Sequence, residues 1–339
     1  MTAADGRLAD LRRLHQLCDP ETGSALAFPI EREAASAPRL RSVTAEELLT
    51  LKLPQREYAL APALPLPGLA MLYAPRGIGK TFVALSVAIA IASGGAALKW
   101  RAPKPRRVLY VDGEMPAGQM QERLARLIRA ADAHPPEADF LRFVSADLAP
   151  EGLPSIARPE TQRALEAEMA ATGAEVVIFD NLSTLATGPR ENESDDWVDL
   201  QTWLLRLRRL GKGVILIHHA GKGGQQRGTS RREDALDTVI ALRRPADYGP
   251  ERGAAFEVHL EKARGVTGAD AAPFAAELVE TLSGGLTWAW RDLGDERRAR
   301  AAELLAAGMS VRDVAEETGL SRSTVHRLKQ AQGAAHGRA

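Results

Sequence analysis

Residues 74–81, AlaProArgGlyIleGlyLysThr, combine glycines with a lysine and a hydroxyl, the residue types that wrap a phosphate. A backbone that folds tightly round an anion needs glycine to aim successive N–H groups inward, and the start of a following helix adds the positive end of its dipole. Gly77 and Gly79 meet the first need, and the apolar runs 69–73 and 82–92, read as a buried strand and a buried helix, meet the second. Lys80 would reach the β- and γ-phosphates of ATP as a point charge, and the Thr81 hydroxyl would ligate Mg²⁺. The expected ATP-binding segment is therefore Ala74, Pro75, Arg76, Gly77, Ile78, Gly79, Lys80, Thr81 and Phe82. It departs from GxxxxGK[ST] at Ala74, but alanine is the smallest side chain that replaces glycine, so little strain is expected. A chance GxGKT on a surface is the alternative, and it lacks the strand and helix that flank this one.

Two further apolar runs end in acids. Residues 108–111 lead into Asp112-Gly113-Glu114, and residues 175–180 end in Asp180, the Walker B pattern. Ligands of open α/β sheets sit beyond the carboxyl ends of the strands. There Glu114 would polarise an attacking water, or it pairs with Arg123 or Arg126 on the next helix; position alone leaves both open. Asp180 would hold magnesium with Thr81, although strands also end in Asp for turn reasons. A third run, 213–217, delivers His218-His219 to the same edge, where a polar side chain would sense the γ-phosphate. Shared metal ligation by the pair is disfavoured, because adjacent strand residues point to opposite sides. The loop 220–228 has glycines, amides and Lys222 with no acid, and reads as nucleic-acid-facing or as a plain flexible connector.

These residues need an α/β fold, a mostly parallel sheet flanked by helices with an antiparallel edge, to bring them together. The 339 residues, 45% hydrophobic and 26% charged, suffice for one large core or two domains. A net charge of +0 gives no global field for nucleic acid, so any such contact must be local. One cysteine, Cys18, excludes an internal disulfide, and the opening residues carry no signal-peptide pattern. The apolar run after Lys80 is too short to span a bilayer, so a cytoplasmic protein without membrane contact is expected.

Residues 1–42, with Leu8, Leu11 and Leu14 followed by Pro, Ala and Ser, read as a peripheral arm. Residues 43–293 form the expected ATPase domain. It opens on a capping box, Thr44 with Glu47, and a short helix to Leu53. The Pro-rich stretch 60–68 lines an adenine pocket or only turns the chain. A polar loop spans 188–196, and on the helix after it Trp197, Leu200, Leu204 and Leu207 form a core stripe. Residues 274–279 and 286–290 close the sheet as a hairpin.

Residues 296–332 differ in character. Val314, Leu320, Val325 and Leu328 are apolar at helical spacing, Ala315 is small where two helices cross, and Gly319 permits a tight turn, the spacing of a helix-turn-helix. Its second helix would present Arg322, Ser323, Thr324, His326, Arg327 and Lys329 to a major groove. A three-helix packing module is the alternative. So few charges imply weak binding by one copy and avidity in a ring of copies. Residues 333–339 read as a disordered tail.

As a set, the phosphate loop, Glu114, Asp180, the His218-His219 strand, the glycine-rich loop, ArgGlyThrSer at 227–230 and GluLysAlaArgGly at 261–265 resemble the hexameric plasmid replicative helicases of the RepA type. More distantly they are similar to bacterial replicative helicases and other RecA-like ATPases. The resemblance covers about residues 43–292 and implies a RecA-like ring, a homo-oligomer with ATP between neighbours. It puts Glu114 at the general-base position, Asp180 at Walker B, His219 at the phosphate sensor and Arg227 at the arginine finger. Lys262 and Arg264 match a Lys-x-Arg pair that related helicases insert into a neighbour's site. Single-stranded DNA through the ring loops and duplex through the helix-turn-helix are the implied partners. A replicative helicase or loader of a plasmid, phage or mobile element is the expectation. The rivals are a DNA-binding regulator switched by ATP and a small-molecule kinase.

Overall fold

The computed structural model describes residues 42–53, 55–186, 194–220 and 234–336, and the chain divides into residues 1–56 and 57–339. In the first unit, helix α1 (Ala45–Thr50) opens on the expected capping box: Glu47 N–H donates to Thr44 Oγ1 at 3.1 Å and Thr44 N–H to the Glu47 carboxylate at 2.7 Å. It stops short of the expected Leu53, with Leu51 extended. Nearly all of the expected arm lies outside the described residues.

The second unit begins with a hairpin, β1 (Glu57–Leu60) and β2 (Leu64–Leu66), then strand β3 (Gly68–Ala74) and helix α2 (Lys80–Ser93). A two-residue ribbon, β4 (Ala96–Ala97) with β5 (Trp100–Arg101), precedes β6 (Val108–Asp112), α3 (Ala117–Arg129), β7 (Leu141–Ser145), α4 (Pro159–Thr172) and β8 (Val176–Asp180). After α5 (Leu182–Leu185) and α6 (Ser194–Arg209) come β9 (Gly213–His219), β10 (Thr238–Arg243), β11 (Ala255–Ala263), β12 (Phe274–Glu280) and β13 (Leu286–Asp292). Three helices follow, α7 (Leu293–Ala306), α8 (Val311–Thr318) and α9 (Arg322–His336). None of the helices, among the described residues, is long and apolar enough to cross a membrane.

The main sheet has nine strands in the order β13-β12-β11-β10-β3-β9-β8-β6-β7. The run from β10 to β7 is parallel, and β11, β12 and β13 add antiparallel neighbours at one side. This is the mostly parallel α/β sheet with the expected antiparallel edge. Period-2 alternation splits its apolar side chains between two cores. Ala70, Leu72, Val108, Tyr110, Ile178 and Ile217 pack under α2 on one face, while Leu69, Met71, Leu109, Val111, Phe179 and Leu216 pack on the other against α6, through Trp197, Leu200, Leu204 and Leu207. Both faces being covered, the strands read as continuous apolar runs. Helix α2 carries a single charged residue, Lys80, and is buried nearly all round.

The Pro-rich stretch does not line a nucleotide pocket. It forms the β1–β2 hairpin, with Leu64 and Leu66 against Gly213 at the edge where β3 and β9 begin, the far end from Ala74. Between β10 and β11 the register slips: Ile240 pairs with Leu260 but Val239 with Lys262. Glu261 is the extra residue of a bulge, which turns Lys262 to the face opposite the one that Val258 and Leu260 share with α2.

Candidate functional site

The parallel strands bring Ala74 of β3, Asp112 of β6, Asp180 of β8 and His219 of β9 to one edge. Between Ala74 and α2 lies the phosphate loop. Gly77 and Gly79 adopt φ of 73° and 112°, left-handed values that suit glycine. Ala74 is not in that region, so its Cβ costs no backbone strain. Pro75, Arg76 and Gly77 are exposed while Ile78 is buried. Lys80 Nζ folds back to donate to Ala74 O at 3.1 Å and Pro75 O at 2.9 Å. Burial pushes this ammonium down to about 8, against the pull of Asp180 and Glu114.

Asp180 is buried and accepts hydrogen bonds from Tyr110 OH, at 2.6 Å, and from the Thr81 hydroxyl. Burial raises its carboxyl above the usual range despite those two bonds. Asp112 pairs with Asp180 across the strands and is pushed up to about 6, by burial first and by Asp180 second. Its carboxylate accepts from the Met115 N–H at 3.2 Å. Glu114 accepts from Asn181 Nδ2, whose other neighbour is His219 Nε2 at 3.3 Å; His219 Nε2 stands 3.7 Å from Glu114 Oε2. The two arginines expected as alternative partners of Glu114 are engaged elsewhere: Arg123 lies over the Phe82 ring at 4.7 Å and Arg126 pairs with Glu280 at 3.1 Å. Gly113 is required by close approach: a Cβ there would meet Leu185 Cδ2 at 2.6 Å and Thr184 Oγ1 at 2.8 Å.

The donor set fits magnesium and a triphosphate. No side chain caps the start of α2, so its first N–H groups are left to the loop, where an anion fits. Asp180 and the Thr81 hydroxyl, with Asp112 beside them, are hard oxygen donors whose buried carboxylates a divalent cation would relieve. When bound, magnesium supplies charge neutralisation at the phosphates. Lys80 would hold the phosphates themselves, and Glu114, bonded to Asn181 beside His219, would be the group to take a proton from water.

The remaining expected residues are elsewhere. Lys262 and Arg264 meet at Asp234 O, at 3.5 and 2.9 Å, next to Ala263, which is level with Thr238 and Ala70. That is about 13 Å along the strands from Ala74, at the opposite edge. Lys222 and Arg227 lie outside the described residues. In α9, Val325 is buried with Ala301, Leu304 and Val314, and Arg322, Ser323, His326, Arg327 and Lys329 are exposed. Thr324 is half-buried, and its N–H and hydroxyl bond to Ser321 Oγ, at 3.2 and 2.8 Å, so it is engaged by the helix cap Ser321 more than it presents to solvent. The sequence reading missed Tyr110, Asp112 and Asn181 as members of the site. Tyr110 and Asp112 share the strand face of Asp180 by period 2, a signal available in the sequence; Asn181 follows Asp180 directly.

Residues 34–225 match the family model of an AAA domain, more than half of the chain. The chain belongs to the AAA domain family. The AAA match takes in the phosphate loop, Asp112, Glu114, Asp180 and His219, and ends before β10, while residues 292–337 match a homeodomain-like domain that spans α7, α8 and α9. No curated protein matches the chain. Among solved structures, a KaiC-like protein from the hyperthermophilic archaeon Pyrococcus horikoshii OT3 is similar at 17% identity, over 67% of this chain and 93% of that one, with a TM-score of 0.48. The flagellar accessory protein FlaH from Methanocaldococcus jannaschii is similar at 12% identity, over 67% of this chain and 91% of that one, with a TM-score of 0.46. The fold of the AAA domain here rests on its own strand order.

Proposed function

We propose that this AAA protein hydrolyses ATP and acts on DNA as a ring of like subunits, a RepA-type replicative helicase or helicase loader of a plasmid, phage or mobile element. The observation that carries the reading is the convergence of Lys80, Thr81, Asp180, Glu114 and His219 at one sheet edge. Lys80 holds the transferred phosphoryl group by charge, Asp180 and Thr81 serve magnesium, and Glu114 takes the proton of the attacking water as His219 reports the γ-phosphate through their shared partner Asn181. Lys262 and Arg264, at the far edge of the same chain, suit delivery to a neighbour's phosphates. Residues 43–293 act as the motor domain and 296–332 as the DNA-reading domain.

The exposed cations of α9 favour a second reading, a DNA-binding regulator whose assembly ATP switches without translocation. ATP turnover measured alone, with single-stranded DNA and with specific duplex separates the two. Strong stimulation by single strands is the result expected of the motor; stimulation by one duplex sequence alone would favour the regulator. A Lys80→Ala protein that turns over ATP at the wild-type rate would end both.

A further inference from the structure

Arg244 follows the last residue of β10 and lies 167 residues from Gly77 in sequence, yet it touches the phosphate loop. Its Nη2 donates to Gly77 O at 3.0 Å, and its Nη1 donates to Gly253 O at 3.0 Å and Ala255 O at 3.1 Å. The guanidinium carbon sits 3.7 Å from the centroid of the Tyr248 ring, and the Tyr248 hydroxyl in turn donates to Gly253 O at 3.0 Å. The same segment abuts the loop a second time: a Cβ built on Gly79 would stand 2.8 Å from the Ala254 Cβ. One side chain therefore fastens the loop to the β10–β11 connection, and its planar face is held by an aromatic ring.

We infer that Arg244 is a positioning residue for the phosphate loop, setting the direction in which the Ile78 N–H points. A trans peptide is planar, so the carbonyl of Gly77 and the N–H of Ile78 point opposite ways. Anchoring the carbonyl on Arg244 turns that N–H away from the guanidinium and fixes it there. Gly77 needs this help because its φ of 73° is held by no side chain of its own, and beyond its two chain neighbours nothing stands within 4 Å of where its Cβ would be. Lys80 performs the matching task at the other end of the loop, on the carbonyls of Ala74 and Pro75. The fork of Arg244 engages three carbonyls at once, which a lysine cannot reproduce.

The inference rests on the loop binding a nucleotide, so the test includes Lys80→Ala as a reference. ATP binding is measured by calorimetry on the full chain for wild type, Lys80→Ala, Arg244→Ala and Arg244→Lys, with a thermal melt of each without nucleotide. Arg244→Ala is expected to bind ATP about tenfold more weakly in a chain that still folds, its melting midpoint lowered by only a few degrees, with Arg244→Lys in between. Free guanidinium ion should restore part of the affinity of Arg244→Ala and none of that of Lys80→Ala. Wild-type affinity in Arg244→Ala overturns the inference, as does a loss that guanidinium leaves untouched. If the alanine variant does not fold, wild-type affinity in both Arg244→Lys and Arg244→Gln overturns it equally. A wild-type protein that binds no ATP, and so equals Lys80→Ala, removes the phosphate-site reading itself and this inference with it.

Discussion

At the edge where β3, β6, β8 and β9 end, one buried ammonium, Lys80, faces Asp180 and Glu114. At the edge where they begin, Arg106 is buried between the carboxylates of Glu57 and Glu175, Lys212 donates to Ala174 O at 2.5 Å, and Lys262 and Arg264 rest on Asp234 O. The first edge gathers the buried carboxylates Asp112 and Asp180 and leaves the start of α2 without a side-chain cap, where an anion fits. The second holds its cations on carboxylates and carbonyls. Such a division makes sense for a site finished by another molecule. On the proposed reading, a metal would neutralise carboxylates at the first edge, and the Lys-x-Arg pair of a neighbouring copy would reach the phosphates bound there.

The largest expected effect tests that division. Arg264→Ala should lower ATP turnover on the order of 10³-fold while leaving ATP affinity within about twofold if, as proposed, the residue serves the transition state of another subunit. Mixing Arg264→Ala with Lys80→Ala chains should recover turnover above either alone, since some interfaces then carry both groups intact. No recovery on mixing, together with normal turnover in Arg264→Ala, breaks the comparison.

Next in size is Gly113→Ala, expected to cost about 1–3 kcal/mol in urea unfolding because the new methyl meets Leu185 and Thr184. Gly118→Ala, in α3 with nothing within 4 Å of its Cβ, should instead gain about 0.5–1 kcal/mol. Equal effects at the two glycines would argue against close packing at the chemical edge.

The pH dependence of ATP affinity is smaller. With burial pushing the Lys80 ammonium down to about 8 and phosphate favouring its charged form, affinity should fall as pH rises through about 8. The loss should approach tenfold per pH unit above that, with a proton taken up on binding that calorimetry in two buffers of different ionisation heat would detect. Smallest, Arg106→Ala should lower stability by about 1–2 kcal/mol, discounted because both carboxylate partners are half exposed, and should leave ATP affinity unchanged. A change in affinity there would mean that the two edges are not separate in role.

The chemical edge was legible because its parts are local: a loop with glycines and a lysine, and strands that end in acids. The closing hairpin and the helix-turn-helix core, with Val314 and Val325 at its centre, were legible from period. What escaped was long in sequence separation or needed register. Arg244 has no local pattern to mark it, and Tyr110 reads as one more apolar residue until its hydroxyl is seen on Asp180. The bulge at Glu261 breaks the alternation that would have turned Lys262 the other way. The β1–β2 hairpin looked like a connector because prolines mask a strand signal, although Leu60 and Leu64 are fully buried.

Strand β13 ends at Asp292 and helix α7 begins at Leu293, so no tether joins sheet to DNA reader. A reading head on a string tolerates variable spacing through slack; this one has none to give. In an assembly of copies, the separation of two half-sites on a duplex would be a ruler cut by the subunit arrangement and reset whenever that arrangement changes.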